Sequence, residues 1–138
     1  MSDDAGIRVM EEVASAKTLD SIHALLAQVF TEHAIDGLVA MQFELAVAEI
    51  GANIIEHSNK GASVTLRLEI EAVEDRIEAR YIDDGQPARV ELDAVSLPDD
   101  FAERGRGLAI ALNVLDELGY RRSNGKNHWQ LVRNLTSV

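Results

Sequence analysis

The sequence predicts an α+β fold, a two-layer α/β sandwich in which a mostly antiparallel, mixed sheet carries three helices on one face. Three observations predict it. Apolar residues recur every three or four positions through residues 15–57, alternate with polar residues through 63–83, and flank an Asn-Gly pair near the end of the chain. The predicted order is therefore strand, two helices, two strands, loop, helix and two strands.

The first part of the chain is predicted to hold five elements. Isoleucine and valine favour a short initial strand, apolar spacing of three and four favours helices, and strict alternation favours a hairpin. These elements are a strand over 7–13, helices over 15–33 and 37–57, and hairpin strands over 63–72 and 76–83.

The second part is predicted to begin with a loop over 83–87 and to continue through 88–104, where no period is firm. Gly105-Arg106-Gly107 is expected to open a third helix over about 108–118, with Gly119 as its C-cap. Asn124-Gly125 between two short runs predicts a final hairpin.

Composition bounds the function. With 138 residues the chain is expected to form one domain over 1–138, with residues 1–6 as a flexible N-terminus. The absence of cysteine excludes a disulfide framework, a cysteine-ligated zinc site and a thiol nucleophile. A formal charge of −11 argues against direct binding of nucleic acid. An acidic start, and apolar runs broken by Glu or Gly, predict a cytoplasmic protein without a membrane span.

The second predicted helix carries a polar row. Glu49 and Asn53 are four residues apart and therefore stack on one face, beside the apolar positions Ile50 and Ile54. Such a pair suits proton transfer and a hard cation, since Glu can accept a proton and Asn can offer an oxygen to Mg²⁺. The same spacing also fits an ordinary polar helix edge.

Two further segments carry polar groups beside glycine. Asp83 ends a predicted strand, where its carboxylate can accept from an exocyclic amine while Gly85 lets a ligand approach the backbone. A plain turn fits the same residues. Gly105 and Gly107 open a helix whose free N–H groups favour an anion, with Arg104 and Arg106 beside them. A glycine-rich helix start with solvated arginines is the alternative.

Together these segments resemble a known superfamily. Residues 49–57, which read Glu-Ile-Gly-Ala-Asn-Ile-Ile-Glu-His, resemble the N box of the GHKL ATPases (gyrase, Hsp90, histidine kinase, MutL). Residues 83–87 resemble the G1 box, and Gly105-Arg106-Gly107-Leu108 resembles the G2 box. In chain length and in residues 120–128 the sequence is similar to the small anti-sigma factor serine/threonine kinases of the RsbW type. The resemblance covers about residues 7–135.

The resemblance implies a Bergerat-type ATP-binding fold and a role for each matching residue. Glu49 stands where the family has its general base, Asn53 where it has its Mg²⁺ ligand, and Asp83 where it has the acceptor of the adenine amino group. Gly85 would allow the adenine base to approach the backbone, and residues 88–104 would form the ATP lid. The phosphates would be framed by the segment that comprises Arg104, Gly105, Arg106, Gly107 and Leu108.

The resemblance also implies partners. An RsbW-type kinase uses ATP and Mg²⁺ to phosphorylate an anti-anti-sigma (STAS) protein and binds a sigma factor; whether the chain forms a homodimer stays open. Pro87 departs from the G1 box, because it replaces the second glycine and removes one backbone donor. No phosphoacceptor His box is visible, which disfavours a sensor histidine kinase. The alternatives are a catalytically inactive partner-switching module of the same fold and a switch protein that activates a phosphatase.

Overall fold

The computed structural model describes residues 7–58, 63–87 and 103–135. The elements follow the predicted order. They are β1 (Ile7–Val13), α1 (Thr18–His33), α2 (Gly37–Ser58), β2 (Thr65–Ala72), β3 (Arg76–Asp83), α3 (Glu103–Val114), β4 (Glu117–Ser123) and β5 (Lys126–Asn134).

The strands form one five-stranded sheet in the order β1-β2-β3-β5-β4. All four pairings are antiparallel, so no parallel pair joins the described strands, although a mixed sheet was predicted. The chain leaves β3, passes through α3 to the edge strand β4, and returns as β5 beside β3. This crossover sets the end of β3 against the start of β5, with Asp83 opposite Asn127.

The helix-facing side of the sheet is apolar because side chains alternate across a strand. On β2 every second residue is buried, and on β3 the same alternation places Tyr81 against α2. Packing is shared among the helices: α1 contacts β1 and β2, α2 contacts β3 and β5, and α3 contacts β4 and α2. The largest fully buried side chains include Tyr81, Phe43, Ile22, Leu26, Ile50, Leu66, Leu68, Ile70, Ile77 and Leu131.

The opposite, open face of the sheet carries an arginine–glutamate network. Arg80 donates to Glu69, Glu71 and Glu78 at 3.1, 3.3 and 3.1 Å. Arg67 joins Glu69 to Glu11 of β1. These contacts cross three strands and pair opposite charges on neighbouring strands, which stabilises the sheet on its polar face.

The third helix differs from its predicted bounds of 108–118. It begins at Glu103 and ends at Val114, and Gly119 lies inside β4 rather than capping a helix. The spacing between Leu115 and Leu118 fits a helix, but Leu118 lies opposite Leu131 and Tyr120 opposite Trp129 in the ladder. Pairing with β5 satisfies the backbone groups of 117–123 that face β5 and packs Leu118 and Tyr120 against the core, so tertiary contacts override the local pattern.

The final turn has the geometry that the Asn-Gly pair predicts. Asn124 and Gly125 have φ values of 54° and 75°, as a two-residue type I′ hairpin turn requires. By length and composition alone, residues Gly37–Glu56 of α2 could span a membrane, with a mean hydropathy of 1.5. The fold buries 44% of this stretch, and one helix of this kind is weak evidence for a membrane span.

Candidate functional site

The polar row on α2 lies beside the face that anchors the helix. Ile50 and Ile54 are buried in the core, whereas Glu49 and Asn53 are half-buried. Within the described residues, the side chains of Glu49 and Asn53 make no hydrogen bond and no ion pair. Because no described protein group occupies them, these carboxylate and carboxamide oxygens are available to a ligand.

Tyr81 brings this row to the end of β3. Its hydroxyl is fully buried and donates to the carbonyl oxygen of Val47 at 2.7 Å. Burial raises the pKa of Tyr81, so the phenol remains a donor. Since Asp83 follows two residues later, it faces the same side of the sheet. The segment of α2 that contains Glu49 therefore lies over the strand that ends in Asp83.

The structure distinguishes the two adjacent aspartates. Asp83 is 4% exposed and faces the helices. Asp84 is exposed, and its Oδ1 accepts from the backbone N–H of Thr65 at 2.8 Å. Asp84 therefore fastens the end of β3 to the start of β2, whereas Asp83 remains the candidate for ligand recognition.

Gly85 is held close to Asp83. Its N–H donates to Asp83 Oδ1 at 2.9 Å. A Cβ at this position would lie 3.1 Å from that oxygen and 3.2 Å from Cγ2 of Val64. These contacts are tight for a side chain, so glycine lets the loop lie close against the Asp83 carboxylate.

Three residues of this site were missed by sequence reasoning: Tyr120, Arg122 and Asn127. Arg122 Nη1 donates to the carbonyl oxygen of Gly85 at 2.7 Å, and Asn127 Nδ2 donates to Asp83 Oδ1 at 2.9 Å. Tyr120 donates to Asn127 Oδ1 at 2.5 Å. The Asn-Gly turn predicted their hairpin, but only the strand order places that hairpin beside β3.

The predicted phosphate segment lies in α3. Gly105 and Gly107 fall within the first turns of this helix rather than ahead of it, because α3 begins at Glu103. The first four N–H groups of a helix have no intrahelical partner and favour anions. The side chains of 103–108, including Arg104, Arg106 and Leu108, lie outside the described part. Residues 88–102 of the predicted lid also lie outside the described part, and the last two lid residues, 103 and 104, belong to α3.

The donor set fits a magnesium ion that arrives with phosphates. In the ranges 7–58, 63–87 and 103–135 no group of three or more His, Cys, Asp or Glu could hold a metal by itself. Mg²⁺ commonly takes one or two protein oxygens and completes its shell with phosphate oxygens and waters. The unpaired carboxamide oxygen of Asn53 matches that requirement. His23 instead contacts Glu44 at the surface, 2.7 Å from Nδ1 to Oε2.

The candidate site thus combines a helix with unpaired side-chain oxygens and a sheet strand that ends in the buried carboxylate of Asp83. Residues 12–133 match the histidine kinase-like ATPase domain family, and the chain belongs to this family, whose domains bind ATP, usually with Mg²⁺. The nucleotide-free catalytic domain of the histidine kinase ThkA has a similar fold, with a TM-score of 0.57 at 13% identity. That similarity covers 93% of this chain and 96% of the ThkA domain. No curated protein matches the chain.

Proposed function

We propose that the protein is an ATP- and Mg²⁺-dependent serine kinase that phosphorylates an anti-anti-sigma (STAS) protein and also binds a sigma factor. One observation carries the proposal: Glu49 and Asn53 present unpaired, half-buried oxygens on one face of α2. A domain that only held partners would not need a carboxylate kept free beside a nucleotide. The resemblance of the three boxes to RsbW-type kinases supports the choice of partners.

Each residue has a defined part in the proposed transfer. The Glu49 carboxylate accepts the proton of the substrate serine as the bond from Oγ to the γ-phosphorus forms. The bond between that phosphorus and the β,γ-bridging oxygen breaks, and ADP leaves with its electron pair. Asn53 would ligate Mg²⁺, which neutralises phosphate charge when bound. The first-turn N–H groups of α3 and an arginine at 104 or 106 would hold the phosphates.

An exposed apolar stripe supports the partner-binding part of the proposal. Leu38, Met41 and Leu45 recur three and four residues apart on α2 and are 58%, 60% and 41% exposed. Contiguous exposed apolar surface often marks a site for another protein. The stripe lies on the helix that carries Glu49, so a partner bound there would be close to the proposed base.

The test is phosphoryl transfer from γ-labelled ATP to STAS proteins of the source organism. We expect Glu49→Gln to lower the rate by about 10²–10⁴-fold, the usual contribution of a general base, while ATP affinity changes little. Glu44→Gln is the matched control, since Glu44 lies on the same helix but contacts His23 at the surface. Transfer that survives Glu49→Gln would refute the assigned role.

The alternative is a partner-switching module of the same fold that transfers no phosphate, including one that activates a phosphatase. Pro87 removes a backbone donor next to the proposed adenine-binding residues Asp83 and Gly85, which favours this alternative. Stabilisation by Mg²⁺–ATP, about 2.7 kcal/mol at a hundredfold excess over Kd, would show nucleotide binding. Nucleotide binding without transfer to any bound partner would support the module over the kinase.

A further inference from the structure

Among the described residues near Asp83, Asn127 has the most extensively hydrogen-bonded side chain. It is 3% exposed at the start of β5 and lies directly opposite Asp83 in the ladder. Its Nδ2 donates to Asp83 Oδ1 at 2.9 Å and to the carbonyl oxygen of Gln86 at 2.8 Å. Its Oδ1 accepts from Tyr120 and Arg122 at 2.5 and 3.1 Å.

This network fixes the orientation of the Asn127 amide. If the amide were flipped, its oxygen would face the Asp83 carboxylate and the Gln86 carbonyl, and its NH₂ would face the Arg122 guanidinium. Both contacts would be repulsive, so the NH₂ group must point at Asp83. Nδ2 is therefore a permanent donor to one oxygen of that carboxylate.

The consequence for Asp83 is that its two oxygens are unequal. Oδ1 accepts from both Asn127 Nδ2 and the Gly85 N–H, which uses its two lone-pair directions. Among the described residues no group donates to Oδ2. Oδ2 is also not enclosed, since the only fully buried, unpartnered side-chain atom of the described part is Arg133 Nε. Asp83 thus offers a single acceptor oxygen to a ligand.

We propose that Asn127 is a specificity-determining residue that makes the site select adenine over guanine nucleotides. The inference rests on the proposed function only in requiring that Asp83 reads a purine base. Guanine presents two adjacent donors, N1–H and the exocyclic 2-amino group, which pair with both oxygens of a free carboxylate. Adenine presents one exocyclic amine beside a ring acceptor. A carboxylate with one oxygen already occupied can still accept the hydrogen bond from the adenine amine. It cannot accept the second of the two hydrogen bonds that guanine would donate.

The experiment measures Kd for the Mg²⁺ complexes of ATP, GTP and ITP with the full chain. ITP keeps the N1–H of GTP but lacks the 2-amino group. In the wild type we expect ATP to bind best and GTP to bind no better than about threefold over ITP, since no second acceptor serves the 2-amino group. A wild type that prefers GTP over ITP tenfold would overturn the inference without any variant.

The variant Asn127→Ala removes one of the two donors to Asp83 Oδ1, so this oxygen can accept a hydrogen bond from a nucleotide. We expect the ratio of GTP to ATP affinity to rise about tenfold, and GTP to gain over ITP. A general loosening of the fold would weaken all three nucleotides in parallel, so the ratio separates selectivity from structure. Thermal unfolding checks that the variant folds. If it does not, the wild-type comparison of GTP with ITP still decides.

The matched control is His128→Ala. His128 follows Asn127 on β5 but faces the open side of the sheet, where Ile82 is its neighbour across the ladder. We expect its nucleotide ratios to equal those of the wild type. Unchanged ratios in a folded Asn127→Ala would refute the role of Asn127 while leaving ATP binding intact. A wild type that binds no nucleotide would instead refute the proposed function as well.

Discussion

At the scale of single residues, Tyr81 joins the helix that carries Glu49 to the strand that ends in Asp83. Its ring fills the core between β3 and α2, and its hydroxyl binds the Val47 carbonyl two residues before Glu49. Aromatic side chains with a paired polar tip combine large buried area with a directional bond. Tyr81 therefore sets both the separation and the rotation of α2 over the strand that carries Asp83.

Tyr81→Phe should lower the free energy of unfolding by about 1 kcal/mol, the usual net contribution of one hydrogen bond. The ring remains, so packing is retained and only the bond to Val47 is lost. Urea denaturation followed by circular dichroism measures the change. An unchanged denaturation midpoint would mean that the hydroxyl bond adds no stability.

At the scale of elements, α2 and β3 are in close contact through Gly51. A Cβ at Gly51 would lie 2.6 Å from the Tyr81 hydroxyl oxygen and 2.8 Å from Cδ1 of Ile22. Real Cβ atoms essentially never approach other atoms so closely, so a side chain here would force Tyr81, Ile22 or the helix itself to shift. The glycine of the N box thus has a packing reason that is separate from any ligand.

Gly51→Ala should destabilise the protein by about 1–3 kcal/mol through overpacking, although alanine is the better helix former by about 1 kcal/mol. Gly37→Ala is the control, because nothing lies within 4 Å of a Cβ at Gly37. Chemical denaturation of both variants measures the difference. In the double variant with Tyr81→Phe, removal of the nearest atom should make the cost smaller than the sum of the single costs. Equal stability of Gly51→Ala and Gly37→Ala would contradict the contact.

At the scale of the whole molecule, arginines neutralise part of the negative charge of this acidic chain on the open face of the sheet. The formal charge is −11, yet Arg67, Arg76 and Arg80 form ion pairs with glutamates on the open face of the sheet. A hydrogen bond from Arg76 lowers the pKa of Glu78. For Glu69, burial raises the pKa, but hydrogen bonds from Arg67 and Arg80 outweigh it and the net shift is downward.

These shifts predict acid sensitivity. A carboxyl whose folded-state pKa is depressed binds fewer protons when folded, so its stabilisation is complete above the unfolded-state pKa of about 4.3 and is lost as the pH falls below it. Urea midpoints should therefore drop between pH 5 and more acidic conditions. Glu78→Gln should flatten this dependence, whereas Glu74→Gln, in an exposed turn, should not. A Glu78→Gln profile parallel to that of the wild type would contradict the assignment.

The sequence alone determined the type and order of every described element, because hydrophobic periodicity and the Asn-Gly turn depend on nearby residues. Local spacing and resemblance to known boxes also predicted Glu49, Asn53, Asp83 and Gly85 as site residues. The bounds of α3 were wrong, since β4 is held in place by pairing with β5 rather than by its own propensity.

Only the tertiary structure decided which groups surround Asp83. Asn127, Tyr120 and Arg122 reach it because β5 lies between β3 and β4, and strand order is not encoded in local pattern. The structure likewise decided how the two adjacent aspartates differ in burial: Asp83 is buried and Asp84 is exposed. Strand pairing joins residues that are 44 positions apart, as between Asp83 and Asn127, and such contacts arise only when the whole sheet has formed.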